Sequence, residues 1–265
     1  MTRPEPTITI VTVVWNNLDG LKTTCASIAA QTYRKIEHVV IDGGSTDGTP
    51  EWLESYAADH PIVAVSEADN GLYDAMNKGI NKASGDLVLF LNGADVFTSD
   101  DDLEFVAREW VVGDWQWGYG GLRYVDEKGV ALRGIVHSPF GLRKFQMGFM
   151  SVPHPACYVA LPVLREFGGF RLDYGVSGDQ ELLMRIASKY RPAVWIRFVA
   201  DFLVGGVHSS GSDFATELRW HKIRKDNGFN VGRYGAVDWA YAVARGSYRQ
   251  GRVVAGRLVK RVGRA

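Results

Sequence analysis

The sequence predicts an α/β chain, a mostly parallel mixed sheet flanked by helices, followed by a basic C-terminal helical tail. Three observations predict it. Four short runs rich in Val, Ile or Leu occur in the first hundred residues, segments of helical periodicity separate them, and each run ends where polar or glycine residues begin. At 265 residues, with 46% hydrophobic and 12% aromatic side chains, the chain is large enough to bury one α/β core, or a main domain with a small appendage. That composition excludes a disordered protein.

The strands are read at 7–15, 37–42, 62–67 and 86–91. After the first, Leu18, Leu21, Cys25 and Ile28 recur at helical spacing; Thr49 and Pro50 open a second helix, where proline forfeits no hydrogen bond. Leu72, Ala75, Met76, Gly79, Ile80 and Ala83 form the apolar face of a third. Beyond these, the spacing predicts a hairpin of 119–125 and 130–135 around Asp126, Glu127, Lys128 and Gly129. A strand over 155–160 follows, then a helix over 178–190 with Leu182, Leu183, Ile186 and Ala187 facing inward.

The formal charge of zero hides an asymmetry. From Trp239 onward the chain carries Arg245, Arg249, Arg252, Arg257, Lys260, Arg261 and Arg264 and no acid, a tail of +7 after a body of −7. On a helical wheel these cations take one side while Tyr241, Tyr248, Val254, Leu258, Val259 and Val262 take the other, the pattern of a helix lying on an anionic membrane surface. Gly246, Gly251, Gly256 and Gly263 oppose a helix, and a solvated tail or a partner-docking segment fits the same residues. Nucleic acid is not an expected partner, because no recognition motif accompanies the charge.

Cys25 and Cys157 lie in no metal-binding or disulfide-framework spacing, which points to a reducing cytoplasmic setting. The start lacks a basic stretch before an apolar core, and no apolar run reaches the ~20 residues of a membrane span. The expected location is therefore cytoplasmic, with peripheral contact to the inner membrane face through 239–265.

Four clusters can carry chemistry, and the first three fall at strand ends, where open α/β sheets bind ligands. Residues 40–49 end a buried strand in a glycine-rich loop in which Asp42 can accept hydrogen bonds from a base or a ribose; taken alone, the loop reads first as a turn with Ser45 or Asp47 as a cap. Residues 67–79 place Asp74, Asn77 and Lys78 on one helix face, a solvated face or a phosphate neighbour. Residues 89–97 deliver Asp95 into a small-residue loop, as a ligand for a divalent cation or as a turn residue. Residues 176–185 open a helix with Asp179, a general base or a cap, with Glu181 as the other nearby carboxylate.

In this order, the clusters resemble the family 2 glycosyltransferases, over 7–211. The match is carried by Val11 to Asn17, by Ile41 to Thr49 and by Gly71 to Gly79. The resemblance implies a Rossmann-like GT-A fold over 1–211, with a nucleotide-binding half at 7–98 and an acceptor half at 99–211, and a helical extension over 212–265. It implies that Thr12, Val14 and Asn16 line the nucleotide pocket, that Asp42 contacts the base, and that Asp69, Ala75, Asn77 and Lys78 border the diphosphate and sugar. Asp95 matches the metal ligand of the family's DXD region, for Mg²⁺ or Mn²⁺, with Ala94 in place of an acid that many members carry. Asp179 matches the catalytic base, with Gly178 where many members have Glu.

By the same resemblance His208 falls where related enzymes close over the diphosphate, as a metal or phosphate contact or a plain loop residue. His154 is an acceptor-side or structural residue, and Trp115 and Trp117 read as core. The implied activity is an inverting transfer from a nucleotide-diphosphate sugar, UDP-sugar favoured, to a hydroxyl of a lipid-linked or cell-envelope glycan. Two alternatives stand beside it. One is a non-catalytic nucleotide-sugar binding module; the other is a nucleotidyltransferase, for which residues 11–20 lack the expected basic phosphate loop.

Overall fold

The computed structural model describes residues 3–204 and 214–262, with side chains described through Gly251. At its centre is β1 (Ile8–Val14), in which all seven residues are β-branched and buried. β2 (Ile36–Asp42) and β4 (Leu87–Phe90) pair with it in parallel, and β3 (Ile62–Ser66) extends β2 at the sheet edge. A parallel strand covered on both faces has no polar side to present, which is why these strands read as continuous apolar runs. The crossovers are α1 (Leu18–Ala29), α2 (Thr49–Asp59) and α3 (Leu72–Lys82).

The second half adds α4 (Asp102–Val112), the hairpin β5 (Trp117–Val125) and β6 (Ala131–Ile135), and α5 (Leu142–Gln146). Then come β7 (Cys157–Ala160), α6 (Leu161–Glu166), α7 (Gly178–Lys189) and β8 (Ala193–Leu203). The sheet order is β3-β2-β1-β4-β7-β5-β6, with β8 on β5. β7 runs antiparallel to β4 and β5, so the sheet is mixed, as expected. The strand expected over 155–160 begins as a 3-10 turn at His154–Ala156, because Pro155 has no N–H to give to a ladder. Trp115 and Trp117 are core residues.

The chain closes with α8 (Phe214–Asp226) and α9 (Gly235–Val262), a continuous helix through Gly246 and Gly251. Buried Asp238 joins the two: Arg224 donates to it at 2.7 and 3.1 Å, His221 Nδ1 lies 2.5 Å away, and the Val231 N–H donates at 2.7 Å. The wheel expected for the tail needs correction in its first turns. Arg245 Nη1 donates to the Tyr241 hydroxyl at 3.0 Å, and both side chains donate to the Met147 carbonyl at 2.9 Å. Arg245 and Arg249 further converge on Glu217, at 3.1 and 2.6 Å. Residues four apart share a helix face, and here that face meets the domain. The tail's remaining cations belong to side chains outside the described residues. No helix among the described residues is long and apolar enough to cross a membrane.

Candidate active site

The carboxyl ends of β1, β2 and β4 meet on one edge of the sheet. Asp42, fully buried at the end of β2, accepts hydrogen bonds from Ser45 Oγ at 2.5 Å and Ser66 Oγ at 2.6 Å and so pins the glycine-rich loop. Asn16 closes the loop from β1: its N–H donates to Ser45 Oγ at 2.7 Å, and its Oδ1 accepts from Thr46 N at 2.8 Å. Gly48, not Ser45 or Asp47, is the N-cap of α2; Asp47 just before it accepts from Leu18 N at 3.0 Å and Thr49 Oγ1 at 2.7 Å, tying the starts of α1 and α2 together.

Asp69 stands against this loop. A Cβ added at Gly43 would lie 2.5 Å from Asp69 Oδ2 and 3.5 Å from the Trp15 ring. Lys78 Nζ holds the same corner, donating to Ala68 O at 2.8 Å and pairing with Glu67 at 2.9 Å. Trp15 is 69% exposed here, an aromatic face on the same side of Gly43 as Asp69 and not among the expected site residues. Its sequence signal is an aromatic residue one step beyond a fully buried strand.

Other expected donor-side residues lie deeper. Thr12, Val14 and Ala75 are buried, with the Thr12 hydroxyl 3.1 Å from His38 Nε2. Asn77 turns away from Lys78: its amide is bonded at 2.8 Å on both sides to the Phe170 backbone, a clamp on the loop before α7.

Asp95 sits below the end of β4, where burial pushes its carboxyl up to about 8. Asn92 Oδ1, in the same loop, is buried with no hydrogen-bond partner. Between them Ala94 adopts φ +84°, a left-handed conformation that Asp or Asn takes more readily than Ala. A buried carboxylate with no described cation and an unpartnered amide oxygen are the oxygen donors that a hard divalent ion takes, with phosphate and water completing its shell. These residues fit such an ion. Among the described residues no group of three His, Cys, Asp or Glu forms a fuller site, and His208 lies outside them.

A cleft of about 800 Å³ is lined by residues of the second half and of α8 and α9, among them Asp179 and His154. Asp179 is held by two neutral donors, the Tyr73 hydroxyl at 3.2 Å on Oδ1 and Gln180 Nε2 at 2.8 Å on Oδ2. The Gln180 amide is itself oriented by Val152, whose N–H donates to Oε1 at 3.1 Å and whose carbonyl accepts from Nε2 at 2.9 Å. Burial, reinforced by the Asp179 charge, pushes the Tyr73 phenol far above its ordinary value, so it stays a donor.

The ordered motifs match the glycosyl transferase family 2 model over residues 9–125. An uncharacterized glycosyltransferase of Mycobacterium tuberculosis is 40% identical over 211 residues, 77% of this chain and 78% of that one. The chain belongs to glycosyltransferase family 2. A PGL/p-HBAD biosynthesis glycosyltransferase of the same species is similar over a shorter stretch, 36% identical over 104 residues and 38% of each chain. Among solved structures, the fold is similar to that of Staphylococcus aureus TarS in complex with UDP-GlcNAc (TM-score 0.67, 18% identity, 90% of this chain and 71% of that one). It is also similar to the mannosyltransferase PcManGT of Pyrobaculum calidifontis in complex with GDP-Man and Mn²⁺ (TM-score 0.62, 19% identity, 99% and 83%). The fold is therefore GT-A, and the enzyme a glycosyltransferase.

In this family 2 transferase the departure at Gly178 has a steric cause: a Cβ there would stand 2.7 Å from the Tyr73 ring. Glu181, the rival carboxylate, is fully buried and bonded to Arg185 at 2.8 Å through two nitrogens and to Arg171 at 3.2 Å, which makes it a packing residue of α7. His154 stacks on Phe90 at 5.1 Å, and burial lowers its imidazole below the ordinary value, so it lines the cleft in neutral form.

Proposed function

We propose that the enzyme transfers a sugar, with inversion, from a nucleotide-diphosphate sugar to a hydroxyl of a lipid-linked or cell-envelope glycan, with Asp179 as general base. A UDP-sugar is the favoured donor. The observation that carries this reading is the Asp179 carboxylate, which lines the cleft and is oriented by two neutral donors while no cation pairs with it among the described residues. A carboxylate held in that way keeps its direction for an incoming hydroxyl proton.

In the single displacement, the acceptor oxygen attacks the anomeric carbon as its proton passes to Asp179. The bond from that carbon to the diphosphate oxygen breaks on the opposite face, and the diphosphate leaves with the electron pair. Configuration inverts, and no sugar-enzyme bond forms.

Donor binding falls to the carboxyl ends of β1 and β2. The exposed face of Trp15 suits stacking on a nucleobase, above the loop pinned by Asp42, and Asp69 suits a ribose or sugar hydroxyl. Asp95 and Asn92 would hold Mg²⁺ or Mn²⁺, which when bound supplies positive charge to the departing diphosphate. The GDP-Man and UDP-GlcNAc bound by the similar structures support this donor class. Residues 1–211 would then divide into donor and acceptor halves, and the basic run over 239–265 supports peripheral contact with an anionic cytoplasmic membrane surface.

The experiment is a panel of UDP-, GDP- and dTDP-sugars with the purified protein and Mg²⁺ or Mn²⁺, read as free nucleoside diphosphate. Release from one donor supports the transferase reading. Saturable donor binding with no release under any metal would return the chain to a binding module.

A further inference from the structure

We infer that the acceptor of this transferase is an anionic amphiphile, a molecule whose phosphate or carboxylate group and apolar chain are both held by the cleft that Asp179 lines. The inference rests on the transferase reading and adds the chemistry of the acceptor's own recognition.

Charge is the first observation. Arg133 and Arg249 line the cleft, and Asp179 is the only carboxylate among its described lining residues. Arg133 reaches in from β6 with its guanidinium 4.0 Å above the Tyr124 ring. Arg249 comes from α9 on the other wall. Its partner Glu217 is shared with Arg245, so one buried carboxylate faces two guanidinium groups and leaves a net positive charge at the wall. Guanidinium groups on two walls suit an oxyanion better than they suit neutral hydroxyls.

Exposed apolar surface is the second. Leu132, Phe149, Val176 and Val204 line the same cleft and are 58%, 61%, 52% and 36% exposed. Large apolar side chains gathered at one opening mark a binding surface, and a sugar alone would leave them uncovered.

The third observation is what the walls lack. No Asn, Glu or Lys is among the described lining residues, and the amide of Gln180 is already committed to Val152 and Asp179. Of the amide and carboxylate groups that can hold glycan hydroxyls, the described walls offer only Gln180 and Asp179, beside the hydroxyls of Ser151, Ser177 and Thr216. Charge and apolar contact carry the recognition instead.

The test uses dodecyl phosphate below its micellar concentration, titrated calorimetrically into the full chain beside dodecyl maltoside and inorganic phosphate. Dodecyl phosphate is expected to bind at least about tenfold tighter than the maltoside, with no saturable binding of inorganic phosphate in the same range. Arg133→Gln is expected to weaken dodecyl phosphate about tenfold and leave the maltoside unchanged; Arg133 is exposed on β6, outside the buried ion pairs, so the fold does not depend on it. Equal affinity for the two amphiphiles, or dodecyl phosphate binding that Arg133→Gln does not alter, overturns the inference. Nucleoside diphosphate release in the same preparation is read separately. Release without a preference for the anionic amphiphile overturns the acceptor class alone, whereas absence of release with every donor overturns the transferase reading.

Discussion

The Tyr73 hydroxyl donates to Asp179 Oδ1 at 3.2 Å, joining α3 to the carboxylate that lines the cleft. The ring lies against Gly178 and stacks on Phe170 at 5.2 Å, so its position is set by packing as well as by the hydrogen bond. Tyr73→Phe keeps the ring and removes the donor. We expect kcat to fall roughly five- to tenfold while the donor KM changes by less than about twofold. An unchanged kcat would make Tyr73 a packing residue alone.

The two carboxylates at the start of α7 are separable by substitution. Glu181→Gln leaves Arg185 buried without its charged partner, a break that costs about 3–5 kcal/mol, so the unfolding midpoint should drop clearly. Activity per folded molecule should stay within about threefold, because Glu181 lies outside the cleft lining. Equilibrium unfolding beside steady-state rates checks both halves, and a lost kcat in a stable variant would reverse the roles given to Glu181 and Asp179.

Gly43→Ala acts on the donor side. Its new methyl group would meet Asp69 Oδ2 at 2.5 Å, the mobile end of a side chain, so Asp69 shifts and the fold survives. The donor KM should rise by roughly three- to tenfold with stability nearly unchanged, which initial rates against donor concentration will read.

Buried His38 gives stability a pH dependence. Burial lowers its imidazole from 6.5 to about 4, so the folded state holds it neutral while the unfolded chain takes up a proton. Its contribution is fully present above about 6.5 and is lost as pH falls through about 4, amounting to about 3 kcal/mol across the window. Urea midpoints measured from pH 7 to pH 4 should fall steeply in the native sequence and less steeply in His38→Gln.

Much of this was legible in the sequence where local rules suffice. Seven consecutive β-branched residues make β1, and polar or glycine residues at strand ends mark the ligand edge. β8 was not legible: its buried residues are Trp195, Val199, Ala200 and Asp201 while Ile196 is 83% exposed, and its register against β5 shifts, so no period of two survives. The helpers of Asp179 were hidden for another reason, since Tyr73 lies 106 residues away in the chain and Gln180 is oriented by Val152, 28 residues away. A helical wheel orders the tail's side chains around an axis but leaves open which side meets the domain. Glu217 and the Met147 carbonyl decide that, and they turn Arg245 inward.

The most direct measurement is nucleoside diphosphate release by Asp179→Asn beside the native enzyme, with circular dichroism confirming equal folding. The substitution keeps the shape of the side chain and its place beside Tyr73 and Gln180 and removes the proton acceptor. Transfer to acceptor should fall by roughly 10²–10⁴-fold with donor affinity retained. Transfer at the native rate in the folded variant would contradict the assignment of Asp179 as the base.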